Sequence, residues 1–217
     1  MSTVGRFDRG SWLSATLFIA FGILVWQWTH GLSVWTFEDR RRLLAAQGVL
    51  VASPLELTDD IGATRTLWSR DDRSTVTLVS FIYTRCVSVC SALGSENLEI
   101  QRELVQGPPT AIRLVSLSFD TERDEADALH RYATRHRADS QRWIVGAPAD
   151  PEAGARLREA LGVVVVPDAF GGYVHNGDIH LIDSDGRLRA IFDFTHWSQA
   201  LQAARQIERG ERDRAAT

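Results

Sequence analysis

A run of β-formers, Val76-Thr-Leu-Val-Ser-Phe-Ile82, leads through Tyr-Thr-Arg into Cys86 and Cys90, and a helix-like segment over 91–104 follows. This strand, turn and helix order constrains the chain more than any other feature. Cysteines at the mouth of a strand-to-helix turn are placed for chemistry, and these two are the only cysteines in 217 residues. Residues i and i+4 share one helix face, so the two thiols are set either to form a disulfide or to grip one metal ion. The positive end of a helix favours thiolate over thiol, which assists both outcomes. The competing reading is a pair of core cysteines, since a free Cys packs as a small hydrophobe. Two stray cysteines on one turn, in a chain with no other, make chemistry the better reading.

The segments around this motif alternate. Residues 55–68 read as two short strands about a turn at Asp59 to Gly62, and 69–74 as a polar loop. Gly107-Pro-Pro109 stops the helix after the cysteines. A strand over 111–119, a helix over 124–137, a short strand over 142–145 and a helix from Pro151 to Leu161 come next, the last with proline in its first turn. Residues 163–166 suggest a brief strand and 167–176 a loop. Strands at 179–182 and 188–192, joined by Asp183-Ser-Asp-Gly186, precede a closing helix over 196–208, and 209–217 is expected to be a flexible tail. Strands alternating with helices, then a hairpin and a helix, give an α/β thioredoxin-like sandwich, with a central mixed sheet flanked by helices.

At this length one domain of about 150 residues fits with some chain to spare. Such a domain buries an adequate core without disulfide staples, so the cysteines are not needed to hold it. The surplus lies at the amino end. From Gly10 to Phe37 there is no Asp, Glu, Lys or Arg. The run over 12–28 fits the roughly 20 apolar residues, with a range of about 17 to 25, that a spanning helix needs. Trp12, Trp26, Trp28 and Trp35 lie near its ends, where membrane interfaces place tryptophan. The expected organisation is therefore a tail and transmembrane anchor over 1–37, a juxtamembrane linker over 38–54, the sandwich over 55–208 and the tail over 209–217. The stretch is long for a cleaved signal peptide, and no small-x-small cleavage site follows it. Arg6 and Arg9 before the run nearly balance Arg40, Arg41 and Arg42 after it, so positive-inside counting does not orient the helix. The cysteine pair does: a managed dithiol belongs outside the cytoplasm. With a net charge of −4 and no basic stripe beyond Arg40–Arg42, nucleic acid is not an expected partner.

Taken together, these segments resemble the Sco/SenC family of copper-binding proteins, which assist assembly of the copper site of cytochrome c oxidase. The resemblance rests on Thr84-Arg-Cys86-x-x-x-Cys90 after a strand and on Leu57-Thr-Asp-Asp-Ile-Gly62. It rests also on Ser116-Leu-Ser-Phe-Asp120-Thr-Glu-Arg-Asp124 and Tyr173-Val-His175-Asn-Gly-Asp-Ile-His-Leu-Ile-Asp183-Ser-Asp-Gly186. It covers roughly 55–205. It implies a copper site, Cu(I) or Cu(II), made by Cys86, Cys90 and His175, with Asp120 near enough to orient a ligand or meet a partner. Thiolates and imidazole suit copper in either oxidation state. Of the other histidines, His130 and His136 are expected in solvent on a charged helix, His180 packed mid-strand, His196 at a helix start and His30 after the apolar run. The family usually carries proline after each motif cysteine, where this chain has Val87 and Ser91, and Thr121 replaces a further proline. Proline fixes φ and removes a donor, so a looser turn is expected here.

The resemblance implies a membrane-anchored metallochaperone serving the copper-bearing subunit of cytochrome c oxidase. Other copper chaperones and thioredoxin-like reductases are the further partners. The alternative is an enzyme, a thiol-disulfide oxidoreductase in which Cys86 attacks and Cys90 resolves, keeping the oxidase copper-site cysteines reduced. A peroxide-reducing relative would need an activating arginine at the thiol, for which Arg85 is the candidate. The expected location is a bacterial inner membrane, single-pass, with the carboxy-terminal domain outside the cytoplasm (periplasmic).

Overall fold

The computed structural model describes residues 9–29, 31, 34–69, 76–86 and 89–215. Val87, His30, Arg6 and most of the polar loop expected over 69–74 lie outside the described residues. The chain divides into two units, 1–43 and 44–217.

In the first unit, α1 (Arg9–Trp28) is a 20-residue helix and α2 begins at Phe37. Thr36 starts α2 with reciprocal bonds: its hydroxyl accepts from Asp39 N–H, and the Asp39 carboxylate accepts from Thr36 N–H, both at 3.0 Å. That pairing satisfies two amides that the first turn leaves open. Leu17, Phe18, Phe21, Leu24 and Trp28 on α1 are all exposed. Among the described residues, however, no helix is long and apolar enough to cross a membrane, and this corrects the span expected over 12–28. The unbroken apolar stretch is only 17–26, ten residues between Thr16 and Gln27. At about 1.5 Å per residue that covers half of a bilayer core about 30 Å thick.

The second unit is an α/β sandwich. Its strands are β1 (Leu55–Asp59), β2 (Thr64–Leu67), β3 (Val76–Ile82), β4 (Ile112–Ser118), β5 (Trp143–Pro148), β6 (Val165–Pro167), β7 (Tyr173–His175), β8 (Asp178–Ile182) and β9 (Leu188–Asp193). Its helices are the end of α2 (Phe37–Ala46), α3 (Val89–Gln106), α4 (Ala126–His136), α5 (Pro151–Ala160) and α6 (Trp197–Ala215). Seven strands form one mixed sheet in the order β2-β1-β5-β4-β3-β8-β9, parallel across β5-β4-β3 and antiparallel elsewhere.

Every residue of β3 is buried, because helices cover both sheet faces and successive side chains point to opposite sides. Val76, Leu78 and Ile82 join Leu93, Ile100, Leu129 and Leu201 in one core. Val79 and Phe81 join Leu57, Leu117, Leu157 and Leu188 in the other. The β1–β2 turn closes because the Asp59 carboxylate accepts from Ile61 and Ala63 N–H and pairs with Arg65, while Gly62 takes a positive φ of 83°.

Three expectations need revision. The stretch expected as a loop over 167–176 contains β7, which pairs with β6 in a separate two-stranded ribbon. The closing helix runs on to Ala215, so the tail expected over 209–217 is helical as far as it is described. His136 is buried rather than solvated, packed on Tyr132 with ring centroids 4.5 Å apart. His130 is exposed beside Asp60, and His180 is buried in β8, edge-on to Phe81.

Candidate metal centre

The carboxy-terminal end of β3 sets the site. Past Ile82 the chain turns, and the Tyr83 carbonyl accepts from Cys86 N–H at 3.2 Å. The buried carboxylate of Asp124 grips this turn. It accepts from Thr84 N–H at 2.8 Å, from the Thr84 hydroxyl at 2.6 Å and from the Ser118 hydroxyl at 2.6 Å. Ser118 ends β4, the parallel neighbour of β3, so the two adjoining strand ends and the start of the α4 region are tied at one carboxylate.

Cys90 lies in the first turn of α3 and is fully buried, and Cys86, just before the helix, is 7% exposed. Both are free thiols. Cys90 N–H donates to Cys86 Sγ at 3.3 Å. The Cys86 thiol beside it, together with burial, pushes the Cys90 thiol far above the ordinary cysteine range. Desolvation and a neighbouring sulfur thus outweigh the helix terminus, which corrects the expectation that both sulfurs are favoured as thiolates. A metal that binds Cys90 must displace its proton.

The third donor arrives on the ribbon. His175 ends β7 with its Nε2 3.4 Å from Cys90 Sγ. Its Nδ1 lies 3.1 Å from the Asn176 carbonyl, which accepts only if Nδ1 carries the proton. Nε2 then keeps its lone pair facing the sulfurs. One donor atom from each of Cys86, Cys90 and His175 lies within 4.8 Å of the others. Sulfur and nitrogen bonds of about 2.3 and about 2.0 Å at tetrahedral to trigonal angles put the donors roughly 3.5–3.7 Å apart. The Cys90–His175 spacing is already near that value. Two soft sulfurs and an imidazole, walled on the protein side and half-open at the histidine, form a site that fits a single metal ion.

Aromatic rings back the histidine. The centroid of Phe119 lies 5.2 Å from that of His175 and Tyr83 lies at 6.0 Å, both edge-to-face. Asp120 does not reach the donors: its carboxylate accepts from the Tyr173 hydroxyl at 3.4 Å and faces Arg123 at 3.5 Å. Arg85 donates to the Gly171 carbonyl at 3.1 Å. The sequence reading did not single out Asp124, Tyr83 or Tyr173, although Tyr83 directly follows the strand and Asp124 closes the Ser116–Asp124 segment.

Residues 45–209 match the SCO1/SenC family profile. The chain belongs to the SCO1/SenC family. Among relatives, the SCO1 protein homolog of Bacillus subtilis is 23% identical over 115 residues, 52% of this chain and 59% of the relative. The SCO1/SenC chain described here therefore spans less than two thirds of that curated relative. A SCO1/SenC family lipoprotein from Bacillus anthracis superposes with a TM-score of 0.65 at 17% identity, covering 73% of this chain and 95% of that one. The ScoI structure of Bradyrhizobium japonicum, solved with copper bound, has a TM-score of 0.58 at 25% identity, covering 72% of this chain and 99% of the other. The shared architecture is the thioredoxin-like α/β sandwich expected of the SCO1/SenC family.

Proposed function

We propose that this protein is a copper metallochaperone that delivers the ion to the copper-bearing subunit of cytochrome c oxidase. The observation that carries this reading is the convergence of Cys86, Cys90 and His175, a donor set with the softness that copper, and Cu(I) above all, prefers. The SCO1/SenC membership and the copper held by the Bradyrhizobium relative support it. Cys90 is fully buried and His175 is half-exposed, so transfer begins at the histidine. An incoming thiolate replaces the imidazole first, and the two cysteines release the ion in turn. Asp120 acts one step removed, by holding Tyr173 two residues before the ligand.

The exposed apolar side chains of α1 point to where this happens. A helix apolar on all sides needs an apolar surrounding, and lipid is the surrounding proposed. The domain then works at a bacterial inner membrane, on the face outside the cytoplasm, where a dithiol needs management.

The test is an anaerobic copper titration of the reduced protein, followed by absorption. The expected result is an intense thiolate-to-Cu(II) band saturating at one copper per chain and lost in Cys86→Ser, Cys90→Ser and His175→Ala. Copper retained by either serine variant overturns the reading. A second reading, thiol-disulfide oxidoreductase, draws on the hydrogen bond from Cys90 N–H to Cys86 Sγ, which suits an attacking sulfur. Cys86 would attack a partner disulfide and Cys90 the resulting mixed disulfide, leaving a Cys86–Cys90 disulfide and a reduced partner. His175→Ala separates the two, since it removes a copper ligand and spares dithiol exchange.

A further inference from the structure

The ribbon that brings His175 to the cysteines stands apart from the main sheet, and its strands are three residues each. So short a ribbon does not hold its own position. Something outside it must fix the histidine to the accuracy that a shared metal requires.

The register shows where that support enters. Val165 faces His175, Val166 faces Val174, and Pro167 faces Tyr173. Asp168 N–H donates to the Gly172 carbonyl at 3.0 Å, and bonded and non-bonded pairs alternate along an antiparallel ladder. The N–H and C=O of Tyr173 therefore project from the open edge of β7, away from β6. Pro167, opposite, has no N–H to offer in any case. At that open edge lies the hydroxyl of Tyr83, which accepts from Tyr173 N–H at 3.3 Å and donates to the Tyr173 carbonyl at 3.3 Å. One hydroxyl, with its single donor and two acceptor sites, stands in for a missing neighbouring strand. Gly172 leaves it room, since a Cβ there would sit 3.0 Å from the Tyr83 oxygen. The same residue holds the other half of the site, because its carbonyl accepts from Cys86 N–H at 3.2 Å.

From this geometry we infer that Tyr83 is the positioning residue of the metal centre, its hydroxyl setting His175 against Cys86 and Cys90. This rests on the copper reading above, and the test keeps the two apart. Tyr83→Phe keeps the ring and its edge-to-face packing and removes both hydrogen bonds. In the reduced chain, anaerobic Cu(I) affinities of wild type, Tyr83→Phe, His175→Ala and the double variant, read by competition with a chelator, form a cycle. Two thiolates still hold Cu(I) when the histidine is gone, and Cu(II) titration of the first two gives the thiolate band. The expected result is about a tenfold loss of affinity and a shifted thiolate band in Tyr83→Phe, the scale on which supporting partners act. Nothing further should be lost when His175 is already alanine. In the metal-free protein, the ring nitrogen resonances of His175 should show one tautomer in wild type and averaging in Tyr83→Phe.

Equal losses in both backgrounds would mean general loosening and overturn the inference. So would wild-type affinity together with an unchanged His175 spectrum in Tyr83→Phe. If wild type itself takes up no copper, the copper reading falls and the metal-free spectra alone decide for or against Tyr83.

Discussion

Asp124 touches neither cysteine, yet the turn that presents them hangs from its carboxylate. It is 2% exposed and accepts from three donors on two segments. Asp124→Ala leaves those donors buried without a partner and is expected to cost about 2–4 kcal/mol in denaturant unfolding. Asp124→Asn should cost roughly half, about 1–2 kcal/mol, because the amide keeps one acceptor and the Thr84 hydroxyl can turn to accept from the other end. A similar loss for both variants would show that charge rather than partner count holds the turn. The donors Cys86, Cys90 and His175 were legible in the sequence because their types and the segments around them carry the chemistry. Tyr83 was not: its contribution is a hydroxyl meeting the backbone of a residue 90 positions away, and no local pattern records that meeting.

Among the elements, α3 and α4 meet where a glycine gives way to a ring. A Cβ on Gly94 would lie within 2.6 Å of three atoms of the His136 imidazole, so only glycine lets α4 end there. Gln101 locks the same corner, donating to the Arg137 carbonyl and accepting from Asp139 N–H. Burial, and then the charge of Arg135, holds the His136 imidazole below its ordinary value of 6.5. Its Nε2 is buried with no partner among the described residues. The folded state therefore keeps His136 neutral while the unfolded chain takes up a proton below that value. Stability is fully present above about 6.5 and falls as pH drops towards the lower folded value, by at most about 1.4 kcal/mol per pH unit. Urea melts of the metal-free protein at pH 7.5 and 5.5 should differ more in wild type than in His136→Phe, and equal differences would remove His136 as the cause. This burial escaped sequence reading because Arg131, Arg135 and Arg137 make the helix look solvated, while Leu129, Tyr132, Ala133 and His136 are buried along its other side. The second strand of the ribbon escaped it for a different reason, although the first was expected over 163–166. Three-residue strands leave too little alternation to count, whereas β3, β4 and β8 stood out as longer runs of β-formers.

For the whole molecule, the helix α1 asks for cover. Leu17, Phe18, Phe21 and Leu24 are each at least 60% exposed, more apolar surface than a soluble protein leaves bare. The full chain should sediment with lipid vesicles and a chain starting at residue 38 should stay in solution. Equal partition of both would remove the membrane from the proposed function. The site itself joins distant parts of the chain in a way that its two possible ties do not share. Cys86 and Cys90 are 4 positions apart, and Cys90 and His175 are 85. A disulfide between the cysteines closes a loop of a single turn and removes little freedom from the unfolded chain. An ion shared with His175 closes one some twenty times longer, worth about 3 kcal/mol more on the logarithmic scale of loop entropy. Of these two ties only an ion, on the proposed function, would bridge the cysteine turn and the ribbon, and handing it over would leave the ribbon to the Tyr83–Tyr173 hydrogen bonds.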